Sequence, residues 1–262
     1  MTAVLGPLAA DVSSTSICRG GLIEETHDAL RAWDFSASRE ENFRALQGGA
    51  AIRAATAGWR RDIVSALSRR FEPGGRDLTL TELAKGGCAF DVWRAVLLWH
   101  LTRNEFLVRD FLIKFLWDKF AGGVFRITPD AVIPFLADKR IQSRLRRPWE
   151  APTLRRVASG LLQTATEFGM LKGKNVKEFV SFHIPESSFV YVLHAMSETE
   201  PNARRIIDSE DWRMFLMDSS DVEREVLRLH QFKKLRYEVA GSLVQLSLPY
   251  GTAAEYARVV TS

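Results

Sequence analysis

TLRRVASGLLQTATEFGMLKGKNVKEFVSFHI, residues 153–184, changes its period once, and that change decides the fold. At about 100° per residue, Leu154, Val157, Ala158, Leu161, Leu162, Ala165 and Phe168 share one helical arc, which Gly169 closes. Lys172-Gly173-Lys174-Asn175 then reads as a turn, and residues 179–184 alternate as a strand does. Upstream, Thr128-Pro129-Asp130 opens a short helix to about residue 137, with threonine as the cap and proline in the first helical position. Helix, turn, helix, hairpin is the order of a winged helix.

Outward from there, residues 90–102 and 105–120 read as two strongly apolar helices. In the second, Leu107, Phe111 and Phe115 form one column and Val108, Leu112 and Leu116 another, with Asp110, Lys114 and Asp118 outside at i, i+4. Gly122-Gly123 ends this central core. The N-terminal third predicts three helices, over residues 22–33, 38–46 (capped by Ser36 or Ser38) and 54–71, joined as a helix-turn-helix unit; Pro73-Gly74-Gly75 breaks the chain after them. The last third repeats the winged order more loosely. Residues 186–196 are helical, 201–208 short and polar, 212–217 apolar, and 221–232 a helix capped by Ser219 or Ser220. Segments 235–239 and 243–248 flank Ala240-Gly241-Ser242 as a hairpin, and a helix covers 252–260. The expected class is mainly α: helix-turn-helix and winged-helix units around a central helical core, with small β-hairpin wings. Three domains follow, 1–75, 76–184 and 185–262.

The bulk numbers limit what such a fold does. A chain of 262 residues, 46% hydrophobic and 26% charged, folds and has room for two or three compact units. The net charge of +4 is too small to diagnose a nucleic-acid partner, so the placement of charge matters more than its sum. Cys18 and Cys88, far apart, offer neither a disulfide framework nor a zinc site, which points to a reducing cytoplasm. Residues 1–10 lack the basic start and longer apolar run of a secretory signal and read as a frayed tail. The apolar runs at 95–101, 111–117 and 189–196 fall far short of the roughly 20 residues that span a bilayer, so no membrane insertion is expected.

The cations are placed suggestively. On the helix over 54–71, Trp59, Ile63, Val64, Leu67 and Phe71 face inward, Arg60 snorkels, and Arg61, Asp62, Ser65, Ser68 and Arg69 face out. Such a mixture suits phosphate and base-edge contacts in a major groove, and equally a solvated amphipathic helix. Opposite the apolar arc of 153–168 stand Arg155, Arg156, Ser159, Gly160, Gln163 and Thr166. Gly160 in mid-helix costs about 1 kcal/mol relative to alanine, for which close approach of a partner and close helix packing are equal reasons. The preceding loop carries Lys139, Arg140, Arg144, Arg146 and Arg147 with no acid, and the wing adds Lys172, Lys174 and Lys177. If these patches converge on duplex DNA, phosphates take the arginines and lysines, while Ser65, Ser68, Ser159 and Gln163 carry any sequence preference. Six neutralised phosphates would give a log-log salt slope of about −5. The rival reading is a protein-interaction adaptor whose basic face meets an acidic partner.

Catalytic signatures are missing. Residues 169–175 lack the glycine spacing, the serine or threonine and the preceding strand of a phosphate loop. No lysine has an acid two positions before it, which removes half of a common metal-dependent nuclease motif. The histidines, His27, His100, His183, His194 and His230, show no metal-ligand spacing, and no GxSxG elbow occurs. No enzyme activity, cofactor or metal is expected.

Several strings together resemble the BrxA family of bacteriophage-exclusion (BREX) defence systems: Gly20-Gly21-Leu22-Ile23-Glu24-Glu25-Thr26, Phe106-Leu107-Val108-Arg109-Asp110-Phe111, Thr153-Leu154-Arg155-Arg156 leading to Phe168-Gly169-Met170-Leu171, and Gly241-Ser242-Leu243-Val244-Gln245-Leu246. They occur in the family's order over most of the chain. The resemblance implies a small non-enzymatic component of a multi-protein, DNA-methylating phage-defence system, with helix-turn-helix or winged-helix parts, double-stranded DNA and other BREX proteins as partners. It also brings a comparison with a NusB-like RNA-binding antitermination factor, and an inner-membrane label for some members that the short apolar runs argue against. Arg19-Gly20-Gly21 departs from an expected Lys-Gly pair, and residues 48–57 are less basic than the family pattern.

Overall fold

A helix shielded from water on all sides is apolar over most of its circumference, and residues 95–102, buried without a break, run through the core that way, with His100 and Thr102 as polar exceptions that are hydrogen-bonded. The computed structural model describes residues 12–241 and 243–261; the predicted tail at 1–10 and Ser242 of the predicted hairpin turn lie outside them. The chain begins with α1 (Ser14–Ile17), α2 (Ile23–Arg31), α3 (Arg39–Gly48) and α4 (Ala57–Arg70). Ser38 and Glu41 form a capping box on α3, and the Thr56 side chain accepts the Trp59 amide at the start of α4. Then come α5 (Leu78–Lys85) and the buried α6 (Phe90–Asn104). The predicted helix at 105–120 is three joined pieces: α7 (Phe106–Asp110), a π-helical stretch (Phe111–Leu116) and α8 (Trp117–Ala121).

Next follow β1 (Arg126–Ile127), α9 (Pro129–Leu136), α10 (Lys139–Gln142), α11 (Ala151–Glu167), β2 (Leu171–Lys172) and β3 (Lys177–Phe179). The three strands make an antiparallel sheet in the order β1-β3-β2, with Arg126 opposite Glu178 and Leu171 opposite Phe179. The expected strand at 179–184 is therefore displaced. Pairing occupies residues 177–179 because β1 and β2 are each two residues long, and beyond them only the Val180 amide reaches Met170 O, at 3.1 Å. The last third holds α12 (Glu186–Ser197), α13 (Ala203–Ile207), a 3-10 turn (Glu210–Phe215), α14 (Ser219–Gln231), the paired strands β4 (Arg236–Ala240) and β5 (Leu243–Ser247), and α15 (Ala253–Val260). Asp218 caps α14 in place of the expected Ser219 or Ser220; its carboxylate accepts the Asp221 amide at 2.9 Å and adds negative charge at the positive helix end.

The molecule is mainly helical with small antiparallel sheets. One cluster of buried apolar side chains runs from Val12 to Ala257 and crosses residues 75 and 184 without a gap. It is continuous because α12 packs on α6, while α15 packs on both α5 and α12.

Buried polar groups tie these helices together. Asp110, expected outside with Lys114 and Asp118, is 2% exposed; its carboxylate meets Lys114 at 3.1 Å and Arg140 at 3.5 Å. His100 joins Asp77 through Nδ1 (2.7 Å) and the Tyr191 hydroxyl through Nε2 (2.9 Å), linking α6 to α12. Arg70 is 0% exposed. Its guanidinium donates to Ser16 O (2.7 Å), Gly20 O (2.8 Å), Gly21 O (3.3 Å) and Ser16 Oγ (3.0 Å), and lies 3.7 Å from Glu105. Ser16 Oγ in turn donates to Glu105 Oε1 at 2.7 Å.

Arg70→Met leaves three buried carbonyls without their donor and takes one cation away from the buried Glu105 carboxylate, so urea denaturation is expected to show a loss of about 3–5 kcal/mol. Arg70→Lys recovers little of it, because a single ammonium cannot reach acceptors spread around a planar fork.

Candidate nucleic-acid interface

The outer arc of α11 is the floor of a cleft of about 1310 Å³. Ser14, Thr15, Cys18 and Arg19 wall it on one side and Thr128, Pro129 and Asp130 on another, while residues 174–177 of the β2–β3 turn overhang it. Three local features build this shape. The β2–β3 turn closes tightly on Gly173, whose φ is +102° and whose missing Cβ would sit 2.3 Å from Val176 O. Gly160 lets α1 dock on α11, since a Cβ there would lie 2.4 Å from Ile17 O. Close packing within the chain is thus the reason for that glycine. Two turns further along α11, Glu167 accepts the Gly21 amide at 2.5 Å.

Electrostatically the cleft is one-sided. Among the described residues its lining carries Arg19, Arg155, Arg156, Lys174 and Lys177 against one carboxylate, Asp130. Lys177 is buried, and its ammonium donates to Gly173 O (2.8 Å) and Gln163 Oε1 (3.4 Å). Burial pushes this ammonium below its ordinary range, with the nearby Glu167 carboxylate acting the other way. Gln163 Nε2 donates to Glu167 at 3.0 Å, so turn, helix and α1 loop share one hydrogen-bonded chain. Ser159 Oγ donates to Arg155 O at 2.9 Å. Arg155 pairs with Asp130 at 3.0 Å, and Arg19 with Asp62 of α4 at 2.6 Å. Burial raises the Cys18 thiol, while Arg156 and Arg19 pull it back. A surface made of N–H donors and cations binds anions.

The sequence-derived residues divide accordingly. Arg155, Arg156, Ser159, Gln163, Lys174 and Lys177 come together in the cleft. Lys172 is exposed on β2, outside the lining. On α4, Arg61 and Ser65 are exposed, Ser68 donates to Ser65 O at 3.0 Å and its own carbonyl accepts from Arg39, and Arg69 lies 3.7 Å from Glu105; none of these four lines the cleft. In the basic loop, Lys139, Arg146 and Arg147 are exposed, but Arg140 reaches Asp138 and Asp110, and the Arg144 guanidinium stacks on Phe106 at 4.0 Å. Asp138, one residue before that acid-free stretch, and Asp110, from α7, turn Arg140 into an anchor.

Arg19 is the cleft residue that the sequence reading passed over. Its only signal was the Gly20-Gly21 pair behind it, the mark of a sharp turn. On the last third, Arg224 pairs with Asp221, Arg228 with Glu225 and Glu186, and Arg204 with Glu223, so the face of α14 is balanced in charge.

These features define a class: a mainly helical protein with a basic cleft assembled from a helix, a strand turn and an N-terminal loop. A family model described as BrxA matches residues 14–195, most of the chain and all of the cleft. The chain belongs to the BrxA family, and with it to the components of BREX phage-defence systems. No curated protein and no solved structure matches the chain. Among the described residues no helix is long and apolar enough to cross a membrane.

Glu167→Ala removes the acceptor of the Gly21 amide. Exchange of that amide with solvent deuterium is expected to accelerate, with a stability loss of about 1.5–3 kcal/mol, the range for a hydrogen bond to a charged group.

Proposed function

We propose that this chain is a non-enzymatic, DNA-binding accessory protein of its BREX system, acting in the cytoplasm beside the other defence proteins, and that it holds duplex DNA through the cleft over α11. The observation that carries the proposal is the convergence of Arg19, Arg155, Arg156, Lys174 and Lys177 around one cavity lined by a single carboxylate. A phosphate backbone is the dense, regular anion that such a surface complements.

Element order supports the same reading. Apart from the one-turn α10 in the loop between α9 and α11, the α7–α8 rod, β1, α9, α11, β2, the 173–176 turn and β3 follow one another as helix, strand, helix, helix, strand, wing, strand, with β3 central in the sheet. This is the order of a winged helix, in which α11 takes the place of the recognition helix. Ser159 and Gln163 then face base edges, and the arginines and lysines face phosphates. Arg61, Ser65, Lys139, Arg146, Arg147 and Lys172, exposed outside the cleft, extend the contact along the duplex, with Ser68 and Arg69 at its margin.

Replacing Arg155 and Arg156 together by alanine is expected to weaken duplex binding several-fold in a gel-shift titration and to lower the salt slope by about 2, one per phosphate contact. The melting temperature should barely move, because both side chains are exposed. Unchanged affinity would sink the proposal.

A further inference from the structure

Two of the cleft's arginines are each already held. Arg19 lies between the Trp59 ring, 4.9 Å from its centroid, and Asp62, 2.6 Å away, and its Nε is buried with no hydrogen-bond partner. On the floor of the cleft Arg155 of α11 meets both oxygens of Asp130 at 3.0 Å. Asp62 and Asp130 come from different elements, α4 and α9; Asp130 lines the cleft itself, while Asp62 reaches it through Arg19. Neither carboxylate has any other hydrogen-bond or ion-pair partner among the described residues.

Resting on the DNA-binding reading above, we propose that Asp62 and Asp130 are built-in competitors of the phosphate backbone, and that Arg19 is a phosphate-binding residue released when Asp62 yields. The geometry favours exchange. Both pairs are exposed enough for solvent to screen them, so each holds its arginine weakly, whereas a phosphate entering a cleft that already contains Arg156, Lys174 and Lys177 meets several charges at once. The partner hydrogen bonds of Arg19 do not depend on its loop being loose. Arg70 grips the backbone of Ser16, Gly20 and Gly21 on either side of it, so the arginine has only to swing its side chain from the carboxylate to the ligand. The rim carboxylates therefore set the affinity of the free protein below what its cations alone would give.

The test is a double-mutant cycle read by duplex-DNA titration of the full chain. Asp62→Asn keeps the size of the side chain and removes the competing charge, and it is expected to tighten binding about threefold or more; Asp130→Asn should do the same. Arg19→Ala should weaken binding and erase the gain from Asp62→Asn, as Arg155→Ala should erase that from Asp130→Asn. A gain that persists without its arginine would be the general effect of one fewer acid, and overturns the proposal. So does an asparagine variant that binds like wild type while the Arg155→Ala/Arg156→Ala protein binds less. If neither wild type nor the asparagine variants bind duplex at all, the DNA-binding reading falls, and this proposal with it.

Discussion

A guanidinium with no access to water has to be surrounded by acceptors, and much of this structure follows from meeting that demand at Arg70. Transfer of an unpaired cation into a protein interior costs several kcal/mol, so the backbone around it bends to present oxygens. Residues 16–21 do so with carbonyls at Ser16, Gly20 and Gly21, and Glu105, at the break between α6 and α7, supplies the opposing charge. The last turn of α4, the α1 loop and the central helices thereby meet at one point. Because α1 is a helix of four residues, it has little stability of its own, and this buried contact is what gives it a defined place.

The cleft inherits its geometry from that point. Once residues 16–21 are fixed, Gly160 allows Ile17 to approach α11, Glu167 takes the Gly21 amide, and Arg19 is carried to the rim. On the other side the sheet holds the 173–176 turn over α11 through Lys177, whose ammonium joins the turn's own carbonyl to Gln163. Two elements far apart in sequence thus wall one helix, and each is held by a buried or half-buried cation whose hydrogen bonds are made within the protein. The cations left facing solvent are the ones available to a ligand.

The fold was legible where periodicity was long and its punctuation strong. The amphipathic arc of α11, the Thr128-Pro129 start of α9 and the Ser38 cap of α3 all depend on neighbours within a turn or two, and the chain states them locally. The candidate site was half legible. Arg155, Arg156, Ser159, Gln163, Lys174 and Lys177 lie on one helix and the turn that follows it, so helical spacing placed them together. Arg19 joins them only through a long-range contact, and the Gly20-Gly21 pair behind it announced a turn but not a place in the cleft. Arg140 and Arg144 misled for the complementary reason: their partners, Asp110 and Phe106, sit on α7, so a run of basic residues without acids in sequence was not without partners in space. Asp110 itself, in register with exposed-looking Lys114, was hidden by the same helix contact.

The return of α15 to α5 has a consequence for how the molecule is made. Ala253 and Ala257 are buried where α15 packs on α5, from the first third of the chain, and on α12, and Thr261 rests on Gly86. A ribosome delivers those residues more than 160 positions after α5. Until they emerge the side of α5 that α15 covers stands open in the nascent chain, which makes the arrival of α15 a late step in closing the core.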